Sequence, residues 1–127
     1  MQYICRIDKR KFKLISENIK TDEVVLTYKQ RQHIKERHPE ILEKYEKYFS
    51  KAIEEPDYIL KDKSRENTAL ILKEINNEIF KGINLVLRLS IEGENLNNRN
   101  SIITCIPIGE NRMKSYINNG QIVYKKE

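Results

Sequence analysis

The apolar residues of this 127-residue chain change their period at Pro56. Before it, Ile41, Leu42, Tyr45, Phe49 and Ile53 recur at the i, i+3/i+4 spacing of one helix face, and Glu40, Glu43, Lys44, Glu46, Lys47 and Lys51 form the wet face. After it, the apolar residues fall into short runs of strand period: Tyr58-Ile59-Leu60, Ala69 to Ile75, Ile83 to Ile91, Ser101 to Ile108 and Gln121 to Tyr124. Polar and glycine-containing breaks separate them, at Lys63 to Asn67, Asn76-Asn77, Gly82, Gly93 and Gly109. Helices first and strands afterwards predict an α+β domain, its helices packed on one face of an antiparallel meander so that both apolar faces are covered.

The helical boundaries are marked by particular residues. Thr27-Tyr28-Lys29-Gln30 has the form of a capping box, in which Thr27 accepts from the Gln30 amide and the Gln30 side chain reaches back. The helix runs to about Arg37, where Pro39 forces a break or a new start, and Glu54-Glu55-Pro56 ends the second segment. Upstream, the alternation over Tyr3 to Ile7 predicts a short strand, the basic stretch Lys9 to Lys13 leads into Leu14-Ile15, and Val24-Val25-Leu26 predicts another short strand. The expected organisation is one domain, 1–127, with an N-terminal extension or edge strand at 1–23, a helical part at 24–56 and a sheet part at 57–127. Ile34, Ile41, Leu42, Tyr45, Phe49, Leu70, Leu72, Leu85, Leu87, Ile103 and Ile106 are expected to be largely buried.

Charged residues are 34% of the chain, but 19 isoleucines placed in short runs supply enough patterned apolar surface to exclude a disordered chain. No stretch approaches the ~20 apolar residues of a membrane span. The start, Met1 to Arg6, lacks the apolar segment of a signal peptide, so a cytoplasmic protein is expected. A toxin delivered by a non-classical route would look the same. Cys5 and Cys105 are the only cysteines, too few for a disulfide scaffold or a thiolate zinc site. Twenty-four basic residues against 19 acidic give +5, with +4 concentrated in residues 1–20. That excess favours an anionic partner, nucleic acid included, but does not prove one, since solubility and a Lys-, Ile- and Asn-rich composition also account for it.

Both histidines of the chain fall within six residues, in Arg31-Gln32-His33-Ile34-Lys35-Glu36-Arg37-His38-Pro39-Glu40. Imidazole both gives and takes a proton near neutral pH, and here it is interleaved with Arg31, Lys35 and Arg37. On a helix, Gln30, His33 and Arg37 lie within about 60° of one another at the border of the Ile34/Ile41 face, whereas His38 falls about 140° from His33 if the helix continues straight. A structural explanation competes for each ring. His38 before Pro39 suits a helix C-terminus, and His33 suits a half-buried histidine bonded to a carbonyl. The i, i+5 spacing of the two histidines is not that of a helical zinc pair, and no metal or cofactor is expected.

The string Leu26-Thr27, Arg31, His33-Ile34 and Arg37-His38-Pro39-Glu40 resembles the opening motif of the phage and mobile-element nuclease-like domains grouped with barnase, EndoU, colicin D and RelE. Pro56-Asp57-Tyr58-Ile59 is similar to that group's step from helix to sheet, and Asn100-Ser101-Ile102-Ile103-Thr104 resembles its late strand. The likeness runs from about Val24 to Arg112. Residues 1–20 have no counterpart in it, and Cys105-Ile106 stands where an aromatic residue is expected after Thr104.

This resemblance implies two helices on a four- or five-stranded, mostly antiparallel sheet. It also implies a metal-independent endoribonuclease in which the ribose 2′-OH attacks the adjacent phosphate. By position, His33 would transfer the proton, Arg37 would clamp the phosphate with its planar fork, His38 would be the partner acid or base or a positioning group, and Thr104 would donate a hydrogen bond. Arg31, Lys81, Arg88 and Arg112 are candidate substrate-binding cations, on charge alone. The expected partner is RNA, with tRNA one candidate, and an immunity or antitoxin protein would fit a toxin or mobile-element effector. The alternative is a non-catalytic RNA- or protein-binding domain on the same fold.

Overall fold

The computed structural model describes residues 1–75, 79–94 and 99–127. The predicted turn at Asn76-Asn77 lies outside them. Among the described residues, seven strands form one mixed sheet in the order β1-β2-β6-β5-β4-β3-β7. In chain order these are β1 (Gln2–Arg6), β2 (Glu23–Leu26), β3 (Tyr58–Lys61), β4 (Thr68–Glu74), β5 (Gly82–Arg88), β6 (Asn100–Ile108) and β7 (Gln121–Lys125). The α-helices among the described residues are α1 (Tyr28–Arg37), α2 (Pro39–Tyr45), α3 (Phe49–Glu54) and α4 (Glu110–Asn119).

The α+β class holds, with three corrections. The sheet has seven strands rather than four or five, because the short N-terminal runs and the last strand join it, β1 and β7 forming its two edges. Its central meander β3-β4-β5-β6 is antiparallel as expected, but β2 runs parallel to β6 through Val24/Asn100 and Val25/Ser101. Buried Asn100 stitches that junction: its side chain donates to the Thr21 and Glu23 carbonyls at 2.9 and 3.0 Å and accepts from the Ser90 amide at 2.8 Å. Third, the helices are not confined to one face. α1, α2 and α3 share the main core with Ile59, Ile71, Leu85, Leu87, Ile102 and Cys105, whereas Met113 of α4 packs with Leu60, Leu72 and Ile108 in a second cluster. Alternation along β3 and β4 puts those two clusters on opposite faces. Gly82 makes room for α4, since a Cβ there would stand 2.6 Å from the Met113 methyl and 2.5 Å from the Lys73 carbonyl.

The helical part follows its sequence signals closely. Thr27 caps α1, its hydroxyl accepting from the Gln30 amide at 3.1 Å. Pro39 is the first residue of α2, where a missing N–H costs nothing. A single 3-10 turn at Glu46–Tyr48 separates α2 from α3, yet Ile41, Leu42, Tyr45, Phe49 and Ile53 are all buried. Each such side chain contributes ~1.5–3 kcal/mol by leaving water. Residues 7–20 are also part of the domain, with Ile7, Phe12, Ile15 and Ile19 all in the main core.

Two core expectations fail on β6, and one on β4. Ile106 is 40% exposed and Ile103 is half-buried, as is Leu70. β6 carries a bulge where Leu87 faces Ile102 and Val86 faces Thr104, leaving Ile103 as the extra residue. The bulge resets the alternation, so Cys105 enters the main core and Ile106 turns to the other face, where it stays exposed.

Candidate active site

α1 runs beside the stretch of β6 that β2 leaves unpaired. β2 pairs only with Asn100 and Ser101 before the chain turns into the Thr27 cap, so from the bulge onward β6 has no strand neighbour on that side among the described residues. The Gln30 side chain fills the position. It does not complete the capping box. Its amide instead donates to the Ile103 carbonyl at 2.6 Å, fastening the first turn of α1 to the bulge.

His33 is one turn further along α1. It is exposed and lines a shallow cleft of about 520 Å³ with Lys29, Gln30, Gln32 and Glu36. Arg37, four residues on, ends the helix and is exposed. Residues at this spacing share a face, with Cβ atoms about 5–6 Å apart. Among the described residues neither the His33 ring nor the Arg37 guanidinium has a hydrogen bond or ion pair. Both are therefore available to a ligand, and Arg37 also complements the negative end of the α1 dipole.

His38 belongs to a different depression. Its backbone leaves the helix at φ −145°, ψ 73°, so the straight-helix angle from His33 does not apply. Its ring stands 3.9 Å from the Glu40 carboxylate and borders a cavity of about 220 Å³ between α2 and β6, lined also by Tyr45, Phe80, Cys105 and Pro107. Burial pushes the Cys105 thiol up to about 12, so it is a neutral, apolar part of that wall.

The other named residues are spread over the sheet. Thr104 faces Val86, on the side away from α1, and its hydroxyl has no partner among the described residues. Arg88 shares that side, its guanidinium bonded to the Glu94 carboxylate at 2.6 Å and to the Leu89 carbonyl. That bond is the leading reason the Glu94 carboxyl is held below its usual range. Arg31 is occupied: both its terminal nitrogens bond the Glu46 carboxylate, and one also bonds the Gln2 side chain. Lys81 lies 3.4 Å from the Glu74 carboxylate, and its backbone amide bonds the Ile108 carbonyl. Arg112 is exposed on α4 with no partner among the described residues. Ile108 is five residue steps along β6 from Ile103, about 17 Å at strand rise, so Lys81 and the His33 cleft do not share one binding point.

Thus the fold brings Gln30, His33 and Arg37 together on α1. It sets His38 at the rim of a neighbouring cavity and Thr104 and Arg88 on the far side of β6. The Gln30 contact and the Arg31–Glu46 pair carry no sequence signal, because their partners are 73 and 15 residues away. Helix α4 did leave a signal, in Gly109 and Gly120 bracketing Met113, Tyr116 and Ile117 at helical spacing.

A family model described as phage-Barnase-EndoU-ColicinE5/D-RelE like nuclease2 (PBECR2) matches residues 6–125, and so includes most of the N-terminal segment. No curated protein and no solved structure matches the chain. No helix among the described residues is long and apolar enough to cross a membrane.

Proposed function

Because the chain belongs to the PBECR2 family of phage BECR-like nucleases, we propose that it is a metal-independent endoribonuclease whose reacting groups are carried by α1. The observation that carries this reading is the pair His33 and Arg37. They stand on one exposed helix face without protein partners, on a helix fastened at Gln30 to the sheet.

In this reading His33 takes the proton from a ribose 2′-OH as that oxygen attacks the adjacent phosphorus. The P–O5′ bond breaks, the 5′ oxygen receives a proton, and the products are a 2′,3′-cyclic phosphate and a 5′-OH end. Arg37 holds two non-bridging oxygens with its planar fork and stabilises the charge that accumulates on them. His38, at the break between α1 and α2, serves as the second proton-transfer group or orients the strand. Arg31 fixes α1 against Glu46. Lys81 contacts the RNA further along β6, whereas Thr104, Arg88 and Arg112, on the opposite face, meet it only where the strand crosses the open β6 edge. A tRNA is a fitting substrate, and the activity suits a toxin or mobile-element effector acting in the cytoplasm, held in check by an immunity or antitoxin protein.

The test is incubation of the purified chain with total tRNA in EDTA, followed by end-group analysis. New 2′,3′-cyclic phosphate ends, or the 3′-phosphates that their hydrolysis gives, paired with 5′-OH ends support the reading; 3′-OH with 5′-phosphate ends, or no cleavage, count against it. The placing of His33 and His38 in separate depressions favours a second reading, a domain that docks RNA without cutting it. Salt-sensitive RNA binding with no cleavage under any of these conditions would select it.

A further inference from the structure

We infer that the cavity between α2 and β6 is a seat for one unstacked nucleobase of a single-stranded RNA, distinct from the His33 cleft. The inference rests on the RNA reading above and adds a place where the strand's sequence is read.

At about 220 Å³ the cavity admits one flat heterocycle but is smaller than the ~300–1,000 Å³ typical of pockets for drug-sized ligands. Its interior is apolar. Buried Tyr45 and half-buried Phe80 meet edge to face, with ring centroids 6.4 Å apart and planes at 73°, and Cys105 and Pro107 line the β6 side. A base gains from such surroundings by contact with the aromatic rings. The mouth is polar on the α2 side. Glu40 presents a carboxylate acceptor and Lys44 an ammonium donor that has no partner among the described residues. Nucleobase edges carry amino or imino donors next to carbonyl or ring-nitrogen acceptors, and this pair of side chains answers both. A purely apolar guest would leave the two charges unused.

Position supports the same occupant. Cys105 and Pro107 lie on β6 between Ile103, where Gln30 attaches, and Ile108, whose carbonyl accepts from the Lys81 amide. A strand laid along this part of β6 passes His33, then the cavity, then Lys81. Arg37 and His38 stand at the helix break between the first two.

The experiment titrates the full chain with each of the four nucleoside 3′-monophosphates, with ribose 5-phosphate and with indole, and follows the backbone NMR signals of Ile41, Phe80 and Cys105. Saturable shifts at those residues, with one base preferred about tenfold over the weakest, are expected. Lys44→Met and Glu40→Gln, both at exposed positions, should change the order of preference, and Phe80→Leu should weaken every base. Equal responses to ribose 5-phosphate, no response to any nucleotide, or saturation by indole alone overturns the inference, the last pointing to a protein side chain as the guest. Binding is read without cleavage, so a chain that seats a base here but never cuts RNA fails the ribonuclease reading and leaves this one standing. A chain that cuts RNA while these signals stay still does the reverse.

Discussion

The side-chain amide of Gln30 donates to the backbone carbonyl of Ile103 at 2.6 Å, tying the first turn of α1 to the bulge in β6. The bond spans 73 residues and ends one helical turn from His33. Gln30→Ala should therefore cost ~1 kcal/mol of stability, read as a lower denaturant midpoint with an unchanged slope. Because it frees the helix that carries His33 and Arg37, it should also lower RNA cleavage about ten- to a hundredfold per folded molecule. Loss of stability with full cleavage would show that the tether holds the fold but not the reacting groups.

Arg31 separates structure from chemistry. Its guanidinium spends both terminal nitrogens on the Glu46 carboxylate, each side chain about one-third exposed. Arg31→Ala and Glu46→Ala should each destabilise the chain, and the double variant should lose less than the two losses added, by about 0.5–1 kcal/mol. RNA affinity per folded molecule should stay within a few-fold. A large loss of affinity in Arg31→Ala, absent from Glu46→Ala, would give Arg31 back to the substrate.

How far the sequence carries the fold can be judged residue by residue. Thr27, Pro39 and Pro56 act through backbone chemistry within a few residues, so their effects were legible: one caps α1, one starts α2, and one precedes the change to strands. The parallel contact of β2 with β6 rests on two residue pairs and one buried asparagine 77 residues from Glu23, and nothing local announces it. The β6 bulge is equally silent. By resetting the alternation it turns Ile106 out, although an uninterrupted run of apolar residues predicts burial. At the site, the cluster of Gln30, His33 and Arg37 on one helix face was readable from a 100° turn per residue. The diversion of Arg31 to Glu46 and the placing of exposed His38 at the rim of a separate cavity depend on how α1 meets α2, which is a tertiary fact.

The cysteines predict an alkaline limit to stability. Burial pushes Cys105 up to about 12, and burial followed by the nearby Glu54 charge does the same for Cys5. A thiol whose folded value lies above its unfolded value contributes stability that is complete below the unfolded value, near 9. That stability is lost as pH rises toward the folded value, because the unfolded chain releases protons that the folded chain retains. The thermal midpoint should thus fall steadily above about pH 9, and Cys105→Ala should show a shallower fall, although it starts lower through the lost packing. Thiol-specific reagents should label both cysteines slowly in the native chain and rapidly in denaturant. Rapid native labelling of Cys105 would mean that the α2–β6 wall opens readily.

His33 and Arg37 should fail in different ways. If His33 moves the proton, His33→Ala lowers cleavage by roughly two to four orders of magnitude and leaves RNA binding nearly intact, since a neutral ring contributes little charge. Arg37→Ala should reduce binding and cleavage together, and it should flatten the dependence of affinity on salt by the equivalent of about one phosphate contact. Arg37→Lys should restore binding better than rate, because an ammonium keeps the charge but not the two-pronged geometry. Neither side chain is buried or bonded to another residue among those described, so both variants should unfold within about 0.5 kcal/mol of the parent. That stability check carries weight here, because it removes the explanation by which a structural histidine imitates a catalytic one. A folded His33→Ala chain that still cleaves at the parental rate would move proton transfer across the helix break to His38. The paired substitution His38→Ala would then have to show the loss that His33→Ala did not.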